Sequence, residues 1–226
     1  MLGEDEAKHL TATILALSKA DEAHVTVSSR SSTNLRFARN SPTTSGEHEA
    51  LTITVRSVFG RRSAAATVNH RDPATLAAAV RRAEELAQHA PEDPELMPGL
   101  GAQAYATIAA AWDDETASRG GDGLAAGVAI CLEEARAQGL VAAGFAEVTA
   151  TTTAIASSTG LFGHARETQA TLTETARTAD ASGSGWASSV SPRAGGVDFA
   201  GVSAVASAKA RASAQPRPLA PGSYVT

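Results

Sequence analysis

The chain has 226 residues, 43% hydrophobic, 19% charged and only 4% aromatic, with a formal net charge of −5. That length can bury a sizeable core without disulfides or metals, and the acidic balance argues against a nucleic-acid partner, which calls for a basic face. One cysteine, an acidic start (Met1–Glu6) without the basic and apolar regions of a signal peptide, and no run near the ~18 apolar residues of a span leave a cytoplasmic protein with no membrane role as the expectation.

Ala7, Leu10, Ile14 and Leu17 recur at helical spacing and predict an amphipathic first helix. The period then changes to two. His24–Ser28 and Asn34–Ala38 alternate, and the polar stretch Ser29–Ser32 between them reads as a short turn joining two strands. Asn40-Ser41-Pro42 and Ser45-Gly46 break the chain before a third strand carrying Leu51, Ile53 and Val55 on one face. Gly60 turns it into a returning strand from Ser63 to Val68. The first third is thus expected to be a helix followed by a four-stranded antiparallel meander.

Asp72-Pro73 is an N-cap with proline at the first helical position, and Leu76, Val80, Ala83 and Leu86 form the buried stripe of the helix it opens. Residues 91–123, with Pro91, Pro94, Pro98, several glycines and Asp113-Asp114-Glu115, read as a connector. A helix over about 122–138 places Leu124, Val128, Cys131 or Leu132, and Ala135 on one face, closed by Gly139. A long Thr/Ala/Val-rich strand over 141–155, a turn at Ser157–Gly160 and a return over 166–177 follow. Ser182–Trp186 reads as a bulged strand or a loop. A last helix spans about 197–214, with Val202, Val205 and Ala208 facing inward. The fold class is α+β, antiparallel hairpins packed with about four helices in two similar helix–strands–helix halves.

No motif names a reaction. His48-Glu49 has no second histidine two helical turns on and sits between strands, so the two-ligand helix face of a zinc site cannot arise. His9, His24, His70, His89 and His164 lack ligand spacing. Gly99–Ala104 and Gly121–Ala126 fit a loose Gly-x-Gly-x-x-Ala string, but neither follows a strand, as a dinucleotide site requires. No Gly-x-Ser-x-Gly elbow exists, and Gly183-Ser184-Gly185 reads as a flexible turn. Cys131 lies mid-helix among apolar neighbours, where a thiol is inert. Asp113-Asp114-Glu115 reads as a solvated acidic loop, and Lys209 and Arg211 complement a helix dipole. Catalytic, cofactor-binding and metal residues are therefore expected to be none. The Pro-rich run Gln215–Gly222 reads as a linker, and Tyr224-Val225-Thr226 as the start of a strand in a further domain.

Several stretches together resemble the amino-terminal domain of the TldD/PmbA family, the "modulator of DNA gyrase" proteins. These are Thr33–Asn40 followed by Thr43–Gly46, the strand pair Leu51–Val68, and Asn69-His70-Arg71-Asp72-Pro73 leading into an Ala/Arg/Glu helix. Ala156–Leu161 stands where the family has an Asn-x-x-Gly turn, here without the Asn. Ala208-Lys209-Ala210 and Leu219–Tyr224 resemble the approach to the family's second domain. The resemblance implies a cytoplasmic, dimeric metallopeptidase system acting on unfolded peptides. One subunit type carries zinc on a His-Glu-led helix in its carboxy-terminal region, and the other lacks it.

The expectation is a family-type α+β domain over 1–215 and a linker over 216–226. It is non-catalytic, serving in subunit pairing, as homo- or heterodimer, and in guiding unfolded peptide; zinc is expected only in a carboxy-terminal domain or a partner. The alternative is a stand-alone regulatory module that pairs with a full-length TldD/PmbA-type protein. Whether the chain is itself an enzyme stays open at this point: the family is of hydrolases, yet the chain lacks the zinc motif.

Overall fold

A computed structural model describes residues 1–224. Along the chain the order helix, three strands, helix occurs twice. The first set is α1 (Glu4–Leu15), β1 (Glu22–Ala38), β2 (Ser41–Phe59), β3 (Arg62–Val68) and α2 (Pro73–His89). After a connector come α3 (Asp114–Ala117), a single turn, and then α4 (Gly121–Ala137), β4 (Leu140–Ser157), β5 (Phe162–Thr178), β6 (Ser184–Ser191) and α5 (Phe199–Ala212). The strands form one six-stranded sheet in the order β3-β2-β1-β4-β5-β6. Its outer hairpins are antiparallel, with Val55 opposite Ala66 and Thr173 opposite Ser188. The expected α+β class stands, with four long helices and one short one.

The meander has three strands where four were expected. Ser29–Ser32 does not turn: β1 runs unbroken through it for 17 residues. Polar side chains do not break a strand whose faces are unequally covered, and no Gly, Pro or Asn-Gly pair stands there to bend the backbone. The turn falls at Arg39-Asn40, whose φ angles of 51° and 57° suit a two-residue hairpin. The Asn40 amide secures it, donating to the Leu140 carbonyl at 2.8 Å and accepting from the Ala142 N–H at 2.6 Å. Ser41-Pro42 and Ser45-Gly46 lie inside β2 rather than breaking it. Pairing with β3 begins only at Ile53, so Pro42 costs no ladder bond on that side.

The residues divide into two compact units built from interleaved segments. One comprises 1–32, 48–113 and 149–168, and the other 33–47, 114–148 and 169–226. The first unit packs Ala7 and Ile14 of α1 and Leu76, Ala79, Val80 and Ala83 of α2 against Val25, Val27, Ile53, Val55 and Ala154. The Asp72 side chain caps α2 by accepting from the Thr75 N–H at 2.9 Å. Leu17 and Leu86, expected inside, are 43% and 38% exposed; Thr11 and Ala87 take the buried positions.

The second unit packs α4 and α5 over Leu35, Phe37, Ala146, Val148, Ala170 and Leu172. Leu124, Val128, Cys131, Leu132 and Ala135 face inward as the spacing requires. The last helix differs: Val205 and Ala208 point outward, while Val202, Ser203, Ala206, Ser207 and Ala210 are buried. The cause is close approach to β6. A Cβ on Gly185 would stand 2.1 Å from the Ala206 carbonyl oxygen, so only small residues fit the contact face. Ser184, expected in a flexible turn, begins β6 and is fixed by Ser213, whose hydroxyl accepts from its N–H (2.9 Å) and donates to its carbonyl (2.8 Å). Residues 216–222 carry no helix or strand. Of the expected terminal strand, Val225 and Thr226 lie outside the described residues.

Candidate functional site

The histidines are dispersed. His48 and Glu49 sit in β2 rather than in a turn, and alternation sends them to opposite faces. His24 meets Glu22, Nε2 to Oε1 at 2.5 Å, and His164 Nε2 lies 3.3 Å from the Leu2 carbonyl. Among the described residues no group of three or more His, Cys, Asp or Glu could hold a metal ion. Asp114 and Glu115 belong to α3, and Glu115 pairs with Arg119 at 2.6 Å. Gly121 opens α4 after α3 rather than after a strand, as the motif reading required. Lys209 has a partner the sequence did not show: its Nζ donates to the Trp186 carbonyl at 2.9 Å.

One polar cluster is buried in the second unit. Glu174, on the helix-covered face of β5, is fully buried. Its Oε1 accepts from Ser203 Oγ at 3.0 Å, and its Oε2 has no hydrogen-bond partner. Burial raises its carboxyl above the usual range, as does the charge of Glu134, against lowering bonds from Cys131 and Ser203. Burial, and then Glu174, pushes the Cys131 thiol far up, and Sγ lies 3.6 Å from the Phe199 carbonyl. A buried neutral thiol beside a carboxyl held toward its neutral form is not a nucleophile–base pair. Sequence reasoning missed Glu174 because Thr173-Glu174-Thr175 reads as an ordinary polar stretch of a strand.

Two surfaces offer contact instead. In the second unit, the face of β5 opposite Ala170 and Leu172 carries Thr171, Thr173 and Thr175, with Val190, Ser188 and Trp186 of β6 beside them in register. Trp186 is 54% and Val190 59% exposed, and β6 is a sheet edge. Ser184 and the Trp186 carbonyl are engaged by the side chains of Ser213 and Lys209, so the edge is open toward Ser188 and Val190. In the first unit, a groove of about 340 Å³ lies along α1, lined by Leu10, Leu17, Pro73 and Leu76 and rimmed by His9 and the Arg71–Glu6 ion pair.

Comparison with known proteins follows from this architecture. The family model described as PmbA/TldA metallopeptidase domain 1 matches residues 23–87, the region from β1 to α2. Among curated proteins no sequence matches the chain. In solved structures the fold recurs in TldE from Thermococcus kodakarensis, with TM-score 0.77 and 15% identity over 90% of this chain and 47% of that one. A candidate modulator of a DNA gyrase from Thermotoga maritima gives 0.82 and 11%, covering 95% and 50% of the two chains. One from Bacteroides thetaiotaomicron gives 0.76 and 13%, covering 97% and 52%. Those identities show likeness of fold, and the chain spans about half the length of each structure. Residues 23–87 are thus similar to the first domain of the TldD/PmbA family, and the fold of the chain is the one these solved structures share.

Proposed function

We propose that this chain is a non-catalytic domain of a TldD/PmbA-type peptidase system, which pairs with a subunit of that family and guides unfolded peptide. The family match supplies the system, and metallopeptidase is the activity its description names. One observation carries the peptide role: the hydroxyl-lined face of β5 and β6 beside an open strand edge at Ser188 and Val190. An extended chain is recognised there through its backbone, by strand addition, with little demand on sequence. Trp186 and Val190 supply apolar contact on the same face. No charge stands anywhere in β6, so binding is expected to survive salt.

The test is anisotropy of fluorescein-labelled casein, an unfolded protein, with the native chain and with Ser188→Pro. Proline removes the outward N–H at the centre of the edge while Gly185 and Ala187, the contacts to α5, stay. Binding by the native chain that falls away in the variant supports the reading; equal binding by both contradicts it.

A further inference from the structure

The connector between the two helix–strands–helix sets holds a segment with unusual chemistry. Leu96 to Trp112 is uncharged throughout, yet Met97, Leu100, Tyr105 and Ile108 are 80%, 63%, 55% and 72% exposed. A stretch this apolar that leaves its large side chains in water is not there to fill a core.

Its path lies wholly within the first unit and follows the sheet face opposite α1 and α2. Val25 and Ala154 point to the helices, so His24 and Ile155 point the other way. Gly99 lies against that far face: its N–H donates to Glu22 Oε2 at 3.1 Å, and a Cβ there would stand 2.8 Å from the His24 ring. The Leu100 carbonyl accepts from Thr159 Oγ1 at 2.8 Å and from Ser157 Oγ at 3.4 Å. The Tyr105 ring rests over Gly163, where a Cβ would come within 2.9 Å of it and 3.4 Å of Ile155. β6 pairs with β5 only from Ala170 onward, so β5 is the sheet edge before that point. The segment reaches this edge where Arg166 stacks 4.8 Å from the Trp112 ring and the Asp113 N–H meets Thr168 Oγ1 at 3.1 Å.

Between these anchors, residues 101–110 make no hydrogen bond to the sheet among the described residues, and all ten are exposed. The segment is thus fastened at both ends and laid over the face between them. It has the form of an uncharged peptide resting on a strand surface, closed by one 3-10 turn at Ala109–Ala111 and supplied by the chain itself.

We propose that residues 101–110 are a displaceable strap, and that the face beneath them is a second docking surface for extended, uncharged peptide, held closed until the strap lifts. This rests on the reading of the chain as a handler of extended peptide. Gly163 and Ile155 would seat an incoming aromatic side chain where Tyr105 now lies. The fixed ends at Gly99 and Asp113 allow the middle to swing away without unfolding the sheet.

The experiment titrates a fluorescein-labelled synthetic peptide of the strap sequence, Pro98 to Trp112, into two full chains. One is native; in the other, residues 101–110 are replaced by a Gly/Ser linker of equal length. The strap account expects the replaced chain to bind one more equivalent of peptide than the native chain. If the two bind the same non-zero number, the strap is a fixed part of the fold and the inference fails while the peptide reading stands. If neither binds, both fail. Should the replaced chain not fold, as judged by circular dichroism, Tyr105→Ala serves in its place. That variant is expected to bind the peptide several-fold more tightly than the native chain, and unchanged affinity overturns the proposal.

Discussion

Glu174 is the residue whose surroundings depart furthest from what its type prefers. It sits in a core of Ala, Leu and Val, with a hydroxyl and a thiol near it and Glu134 the other carboxyl acting on it. Its folded pKa is raised above the unfolded value, so the stability it contributes is full below the ordinary carboxylate range. That contribution is lost as pH climbs through the folded value. Glu174→Gln, a neutral isostere, is therefore expected to raise the melting temperature at about pH 8 and to change it little at about pH 4. Thermal melts followed by circular dichroism at both values check this; a loss of stability at the higher pH would contradict it. Cys131 follows the same logic. With its thiol pushed up by burial, it should react with a thiol reagent only after denaturation, and fast labelling of the folded chain would refute its placement.

At the scale of elements, α5 and β6 form the most demanding contact. Gly185→Val forces a side chain into the backbone of Ala206 and Ala210 and is expected to cost roughly 3 kcal/mol, at the upper end for overpacking. Denaturant titration reads that directly, and an unchanged midpoint would show that the helix does not sit this close. The same contact explains what the sequence could and could not say. Leu124, Val128 and Ala135 reveal the buried face of α4 because large side chains fill a gap there. On α5 the buried face is Ala206, Ser207 and Ala210, chosen for smallness, and hydrophobicity points instead to Val205. Strands were legible where one face is apolar, as at Leu51, Ile53 and Val55. They were not where Ser29–Ser32 gave β1 no alternation to read. The Arg39-Asn40 turn is carried by two left-handed residues rather than by the Pro42 and Gly46 that drew attention. The strap was read as a bare connector because its contacts to Glu22, Thr159 and Gly163 are distant in sequence.

For the whole molecule, the order of helix, three strands and helix occurs twice, and the chain divides into two compact units of interleaved segments, each with a core under its own helix pair. No helix among the described residues is long and apolar enough to cross a membrane. The resemblance over residues 23–87 and the fold were legible because motifs in order along the chain specify an architecture even where each is weak. The buried Glu174 and the open β6 edge were not, since both depend on which strands become neighbours. If the domain works beside a TldD/PmbA-type subunit, a mixture with a full-length protein of that family should sediment faster than either alone, and independent sedimentation would remove the pairing role. The central claim is that the chain holds unfolded peptide without cutting it. The most direct measurement incubates the purified chain with fluorescein-labelled casein and added zinc, following anisotropy and fragment release together. The account expects anisotropy to rise with no fragments, with or without a chelator; chelator-sensitive cleavage would contradict it.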